Sequence, residues 1–131
     1  MRALIQRVSY ARVLVDDAVV GEIERGILLF LAIQKGDSAA QIDRLLNKVL
    51  AYRIFPDAVG HMNLALSEIS GGLLVVSQFT LAADTRKGLR PSFSSATPPI
   101  EAEVLYDDFV SRARQRCEQV ATGRFGADMK V

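Results

Sequence analysis

The chain has 131 residues, a formal net charge of +1 and a single cysteine. This length allows one domain and is too short for two, and one cysteine excludes an intramolecular disulfide. A net charge this close to zero excludes nucleic-acid binding by bulk electrostatic attraction, so any RNA partner would have to be engaged locally and by shape.

The first part of the chain predicts three strands. Residues 2–15 are interpreted as one strand, because apolar and polar side chains alternate along its second half. A second strand is predicted over 19–24. The third, over 27–34, is apolar almost throughout, which indicates burial on both faces.

An amphipathic helix is predicted next, over residues 38–52. Apolar residues recur there at helical spacing, and the preceding polar turn offers Asp37 or Ser38 as the N-cap.

The second half of the chain alternates strands and helices around a long loop. Residues 60–70 are interpreted as a loop or short hairpin, and 73–81 as a strongly apolar strand. Three prolines interrupt 82–99, which is typical of a functional loop. A helix is then predicted over 100–120 and a short strand over 124–131.

The fold class that follows is α+β. The element order β-β-β-α-β-α-β predicts a single domain spanning residues 1–131, with two main helices packed on an antiparallel or mixed, barrel-like sheet. The apolar runs are far shorter than the roughly 18 residues of a membrane span. The start of the chain does not resemble a signal peptide, since Arg7 falls within it. We therefore expect a cytoplasmic protein with no membrane partner.

The common catalytic arrangements find little support. His61 is the only histidine and lies in a polar loop, and no G-x-S-x-G motif is present to supply a serine nucleophile. Cys117 lies on the apolar stripe of the second helix, where a buried, unreactive thiol is typical. One histidine and one cysteine do not provide a familiar zinc spacing, so we expect neither metal nor cofactor.

Two segments remain as candidates for chemistry. Four residues end the apolar strand and precede the long loop, a place where active sites are common; they are Ser77, Gln78, Phe79 and Thr80. In the competing interpretation Phe79 belongs to the core and the others complete the strand. A basic cluster in the following loop either contacts phosphate or is simply solvated, and it comprises Arg86, Lys87 and Arg90.

These residues resemble a known family. The tetrapeptide from Ser77 to Thr80 is similar to the S-Q-F-T signature of the D-aminoacyl-tRNA deacylases, also called D-tyrosyl-tRNA(Tyr) deacylases. The first eight residues, which include Arg7, resemble the family's N-terminal strand. The stretches 87–93 and 123–129 resemble the loop after the signature and the family's G-x-F-G-A-D-M segment. The likeness covers essentially the whole chain.

The resemblance implies hydrolysis of the ester that joins a D-amino acid to the 3′-terminal adenosine of a tRNA. Glycyl-tRNA mischarged on tRNA-Ala is considered as a second substrate. The family is understood to use backbone groups and the ribose hydroxyl of the RNA rather than a side-chain nucleophile. Catalytic roles around the aminoacyl group fall by similarity to Ser77, Gln78, Phe79 and Thr80. Thr80 as a covalent nucleophile is the rival interpretation, although no base is evident to take its proton.

RNA-binding roles also follow from the resemblance. Phe125 and Met129, with Ala102, would hold the terminal adenine, unless they serve only in packing. By the same resemblance Arg7 would brace a segment of the partner subunit, while the basic cluster itself makes Arg86 and Lys87 expected RNA contacts. The implied partners are the 3′ end of an aminoacyl-tRNA and a second copy of the chain in a homodimer, and not DNA.

One family motif is absent from the chain. Members of the family continue through an N-x-G-P-x-T segment whose cis Gly-Pro dipeptide screens substrate chirality in the partner's pocket, whereas this chain ends at Val131. The domain is therefore expected to have low activity and weak discrimination between enantiomers. A non-catalytic module that binds aminoacyl-tRNA ends is the alternative function, and a general esterase is a weaker one.

Overall fold

The computed structural model describes all residues, 1–131. Its α-helices are α1 (Ala39–Ala51) and α2 (Pro99–Arg116), and 3₁₀ helices lie at Leu66–Ile69 and Phe79–Ala82. No helix is long and apolar enough to cross a membrane. The strands are β1 (Arg2–Val8), β2 (Ala11–Val15), β3 (Ala18–Ile23), β4 (Gly26–Ala32), β5 (Phe55–Pro56), β6 (Met62–Leu64), β7 (Gly72–Ser77) and β8 (Val120–Thr122).

A four-stranded mixed sheet forms the centre, with the order β1-β4-β7-β8. β1 is antiparallel to β4, whereas β4, β7 and β8 run parallel. The predicted α+β class with two helices on a mixed sheet is confirmed. The barrel-like closure is wrong, because β2 and β3 form a separate hairpin and the edges β1 and β8 do not pair with each other.

Alternate residues of the two central strands bury opposite faces of the sheet. One face packs on the helices and carries Ile27, Leu29, Leu31, Leu73 and Val75. The other packs on the β2–β3 hairpin and carries Leu28, Leu74 and Val76. The prediction that 27–34 is buried on both faces is therefore confirmed over β4. Each fully buried aliphatic side chain contributes roughly 1.5–3 kcal/mol, so both layers contribute to holding these strands in register.

The start of α1 follows the prediction closely. Ser38 is the N-cap, and its backbone N–H donates to the side-chain Oε1 of Gln41 at 2.8 Å. Ile42 and Leu46 are fully buried, as the helical spacing of apolar residues predicts.

Two expected strands differ from the structure. The strand predicted over 2–15 is interrupted at Ser9 and Tyr10, because β1 pairs with β4 while β2 pairs with β3 in the other layer. The strand predicted over 124–131 is absent. Its place at the sheet edge is taken by β8, and only an isolated bridge between Leu14 and Lys130 pairs the last segment.

One further strand and the second helix are shorter than predicted. The strand expected over 73–81 ends at Ser77, since Phe79–Ala82 forms a 3₁₀ helix. The second helix ends at Arg116 rather than near residue 120, because the chain must turn there to begin β8.

Candidate active site

A cavity of about 720 Å³ lies beyond the carboxyl ends of β4 and β7. Its walls come from Lys35 after β4, from 76–79 at the end of β7, from the segment that leads into α2, and from 125–129 near the end of the chain. Ligand sites are common where neighbouring parallel strands end. The parallel pairing of β4 with β7 therefore brings together residues that are far apart in sequence.

The end of β7 positions three of the predicted catalytic residues. The backbone N–H of Gln78 donates to the carbonyl of Leu31 at 2.8 Å, after which the chain turns into the 3₁₀ helix. Ser77, Gln78 and Phe79 all line the cavity. Phe79 is 61 % exposed, so the interpretation that it belongs to the core is wrong. Its ring packs against that of Phe93, with centroids 5.3 Å apart.

Thr80 is exposed and is not among the side chains that line the cavity. Its Oγ1 accepts a hydrogen bond from the side-chain amide of Gln78. The backbone N–H groups of Phe79 and Thr80 are the first two of the 3₁₀ helix, so the hydrogen bonds of that helix give them no acceptor. This segment thus offers two backbone donors that the helix itself does not use, and no side-chain base.

The same cavity also contains the residues predicted to hold the adenine. Phe125, Met129 and Ala102 all line it. The Phe125 ring packs against Tyr106 with centroids 5.7 Å apart, and Met129 Sδ accepts from the backbone N–H of Arg124 at 3.3 Å. The cavity therefore unites six of the ten predicted site residues, three from the end of β7 and three from α2 and the end of the chain.

Tyr106 supports this wall from the core. Its hydroxyl donates to the carbonyl of Val75 at 2.8 Å, which ties α2 to β7. Burial raises the pKa of Tyr106 to about 12. The phenol is therefore neutral at ordinary pH and acts as a fixed donor beneath Phe125.

Arg7 does not reach the cavity of its own chain. Through β4, Ser77 is level with Ala3 in β1, and Arg7 lies four residues further along the strand, a distance of about 13 Å. Its Nη1 donates to the carbonyl of Ile54 at 2.6 Å. Arg7 is therefore at the far end of the sheet from the predicted catalytic residues.

The basic loop also lies outside the cavity, and its base is closed by two backbone hydrogen bonds between Asp84 and Ser92, of 2.7 and 2.9 Å. Arg86 is already engaged, because its guanidinium donates to both carboxylate oxygens of Asp84, at 2.9 and 2.7 Å. These hydrogen bonds lower the pKa of Asp84 to about 2. Lys87 and Arg90 are exposed and form no ion pair.

The remaining reactive side chains lie away from the cavity. His61 is exposed in the turn between β5 and β6. Cys117 follows α2 at the end opposite the cavity, and burial raises the pKa of its thiol, which disfavours the reactive thiolate. No group of three or more His, Cys, Asp or Glu side chains could hold a metal ion.

Four polar residues near the site were not predicted from the sequence, one of them the cavity-lining Asp128. Lys35 and Thr97 line the cavity, and Arg2 donates from Nη1 to the carbonyl of Leu81 at 2.9 Å, which ties β1 to the 3₁₀ helix. Lys35 falls in a stretch that looked only like a turn. An isolated bridge between Gln34 and Ala96 brings the residues around Lys35 next to the segment that precedes α2. No local sequence pattern signals such a long-range pairing.

Comparisons with known proteins identify the family of the chain. A sequence model of the family described as D-Tyr-tRNA(Tyr) deacylase matches residues 4–131. The D-aminoacyl-tRNA deacylase of Cellvibrio japonicus is 61% identical over 131 residues, which is 100% of this chain and 90% of that protein. The D-aminoacyl-tRNA deacylase of Saccharophagus degradans is 56% identical with the same coverage.

Two solved structures share the fold. The c-Myc DNA Unwinding Element Binding Protein superposes with a TM-score of 0.95 and 34% identity, covering 99% of this chain and 89% of that one. A probable eukaryotic D-amino acid tRNA deacylase superposes with a TM-score of 0.82, covering 98% of this chain and 91% of that one. Its identity is 19%, so it supports the fold alone.

Proposed function

Because the chain belongs to the D-Tyr-tRNA(Tyr) deacylase family, we propose that the cavity beyond β4 and β7 is where it cleaves its substrate. The chain is a hydrolase that acts on the ester bond of D-aminoacyl-tRNA and releases the free D-amino acid and the tRNA. The observation that carries the assignment to this cavity is that one space joins Ser77, Gln78 and Phe79 to Phe125 and Met129.

The two sides of the cavity suit the two parts of the substrate. Apolar and aromatic side chains, Phe125, Met129 and Ala102, line one side. Such side chains hold an unstacked base at a single-stranded RNA end. The ribose and its ester then extend toward the side formed by Ser77 and Gln78. In this arrangement the reacting carbonyl meets the start of the 3₁₀ helix.

The proposed chemistry uses the backbone at the start of that helix. The N–H groups of Phe79 and Thr80 have no acceptor within the 3₁₀ helix that they begin, and they are proposed to stabilise the negative charge that develops on the ester oxygen. A single well-placed donor of this kind contributes about 2.7–4 kcal/mol in other hydrolases. The ribose hydroxyl of the substrate assists the attacking water. An aminoacyl ester is already labile, so a modest rate enhancement is sufficient.

A side-chain nucleophile is disfavoured on chemical grounds. The Oγ1 of Thr80 accepts from Gln78 and contacts no histidine, carboxylate or amine that could take its proton. His61 and Cys117 do not line the cavity. Thr80 is therefore proposed to act through its backbone.

Regions outside the cavity are proposed to bind the rest of the RNA and a second subunit. Lys87 forms no ion pair and is available to contact phosphate, whereas Arg86 can contact phosphate only if its ion pair with Asp84 breaks. A homodimer is supported by Arg7, which lies too far from its own cavity to act there, and by the 54 % exposed side chain of Leu4 on the unpaired edge of β1. Aminoacyl-tRNA is used in the cytoplasm, where we place the protein.

Glycyl-tRNA mischarged on tRNA-Ala is proposed as a second substrate. Glycine has no side chain to distinguish one enantiomer from the other, so a site that accepts D-aminoacyl groups has no steric basis for excluding it. Deacylation of glycyl-tRNA-Ala by the chain tests this directly, and its absence would restrict the enzyme to chiral substrates.

The assignment is tested by incubating the chain with D-tyrosyl-tRNA and, separately, with D-tyrosine methyl ester. The proposal predicts release of D-tyrosine from the tRNA faster than spontaneous hydrolysis, and no acceleration with the small ester, which lacks the adenosine. Tight binding of the tRNA without turnover would indicate an RNA-end binding module instead. Equal acceleration of both esters would indicate a general esterase.

A further inference from the structure

Two charged residues that line the cavity have no role in the function described so far, the cation Lys35 and the anion Asp128. Lys35 is the only lysine or arginine among the residues that line the cavity. It is exposed, and it forms no ion pair with any carboxylate of the chain. A lysine that neutralises nothing within the protein is available to a charged ligand in the same space.

The backbone of Lys35 is held on both sides. Its N–H donates to the carbonyl of Ser95 at 3.1 Å, so the residue continues β4 as a partner of the segment that precedes α2. On the other side, the carboxylate of Asp37 accepts from the N–H of Gln34 at 2.7 Å and lies 2.6 Å from the Met1 ammonium. The side chain is thus free to move while its point of attachment is fixed at the cavity wall.

The charges on the substrate restrict what Lys35 can bind. Near its ester, an aminoacyl-tRNA carries a positive α-ammonium group and negative phosphodiester groups. Lysine repels the first and attracts the second, and it commonly binds phosphate as a compact point charge. The proposed adenine side, at Phe125 and Met129, lies in the same cavity. The phosphate nearest to the terminal adenosine is therefore expected in the same region of the site.

We propose that Lys35 binds the phosphodiester on the 5′ side of the terminal adenosine and so sets how deeply the RNA end enters the cavity. This inference rests on the proposed function of the cavity. The phosphate takes no part in the reaction, so the contact strengthens binding of the ground state and the transition state alike. Its loss raises KM and leaves kcat unchanged.

The test uses two substrates that differ only in that phosphodiester: D-tyrosyl-adenosine with a 5′-methyl phosphate, which has it, and D-tyrosyl-adenosine, which does not. With Lys35→Gln, KM is expected to rise roughly fivefold for the first ester, the upper value for one exposed ion contact, and to stay unchanged for the second. With whole D-tyrosyl-tRNA, the slope of log KM against log salt should become shallower by about 0.7.

Two variants control for structure. Lys48→Gln removes an exposed lysine of α1, far from the cavity, and should leave both esters unaffected. Lys35→Arg keeps the charge and should restore most of the affinity for the phosphate-bearing ester. Melting temperatures of all three variants show that each is folded.

Several results would overturn the inference. An equal loss on both esters, or a lower kcat, would place Lys35 at the reacting carbonyl rather than at phosphate. No change on either ester would make it a solvated lysine. These outcomes all require an active wild-type chain, so they are distinct from failure of the proposed function, which would appear as no turnover of D-tyrosyl-tRNA by the unmodified protein.

Discussion

The side-chain amide of Gln78 donates a hydrogen bond to Oγ1 of Thr80. The hydroxyl is therefore held as an acceptor, and no imidazole, carboxylate or amine is placed to remove its proton. A nucleophilic threonine requires such a base. The adjacent backbone N–H groups of Phe79 and Thr80, in contrast, have no acceptor within the 3₁₀ helix that they begin.

Replacing Thr80 with alanine is expected to preserve most of the activity. The substitution removes the hydroxyl and keeps the N–H, so kcat for D-tyrosyl-tRNA in single-turnover assays should fall less than about tenfold. Replacing Thr80 with its α-hydroxy acid makes the opposite change, since an oxygen takes the place of the N–H. That variant should lose on the order of 10²-fold or more, the usual cost of an oxyanion donor. The reverse order of the two losses would support a covalent nucleophile.

Substitutions of Phe125 separate stacking from packing. Because the ring lines the cavity and also packs on Tyr106, Phe125→Ala is expected to lower both the melting temperature and the affinity for RNA ends. The expected loss of affinity is about 1–3 kcal/mol, measured with a non-hydrolysable aminoacyl-tRNA analogue. Phe125→Leu retains apolar volume and should recover stability without recovering affinity. Full affinity in Phe125→Leu would assign the residue to the core.

The sequence predicts local structure here better than it predicts pairing. Alternation in β2, the wholly apolar β4 and the cap at Ser38 were all visible, because each depends on neighbours in the chain. The edge strand β8, in contrast, could not be predicted from the sequence. Residues 120–122 form β8 because β7 offers them a parallel partner, and their own pattern continued the helix.

The residues of the candidate site also fall into two groups, those predictable from local sequence and those that depend on long-range pairing. The family signature located Ser77, Gln78 and Phe79, whose place at a strand end is a local property. Lys35 and Thr97 reach the same cavity only because the chain after β4 pairs with residues 95–97, a contact that the sequence of neither segment reveals.

Stability at alkaline pH should depend on Tyr106. Its pKa is raised to about 12 by burial, above the value of about 10 in an unfolded chain. The folded state therefore keeps a proton that the unfolded state releases, so this contribution is complete below pH 10 and is lost as the pH rises toward 12. In urea titrations, Tyr106→Phe should show a smaller decline between pH 10 and 12.

The same variant should be less stable at neutral pH. Removing the hydroxyl costs the hydrogen bond to the Val75 carbonyl, a loss of about 1 kcal/mol. The loss is modest because that carbonyl also accepts from the N–H of Gly123 at 3.2 Å. An identical alkaline decline in the wild type and Tyr106→Phe would show that the phenol is not held neutral by the fold.

The basic loop should contribute unequally to RNA binding. Lys87→Gln is expected to make the salt dependence of tRNA affinity shallower by about 0.7 in the log–log slope. Arg86→Gln should have a smaller effect, because its guanidinium is paired with Asp84, whose pKa of about 2 keeps the carboxylate charged throughout the assay range. Asp84→Asn should release Arg86 and increase affinity at low salt. Equal effects of Lys87→Gln and Arg86→Gln would mean that the ion pair opens on binding.

The most direct test of the central claim is the deacylation of D-tyrosyl-tRNA by the wild-type chain and by Ala127→Phe, both verified as folded by circular dichroism. Ala127 lines the cavity between Phe125 and Met129, so a phenyl group there should exclude the terminal adenosine without altering the 3₁₀ helix. The account predicts that the wild type accelerates hydrolysis and that the folded variant loses most of that acceleration. Undiminished hydrolysis by Ala127→Phe would place the reaction elsewhere on the molecule and contradict the account.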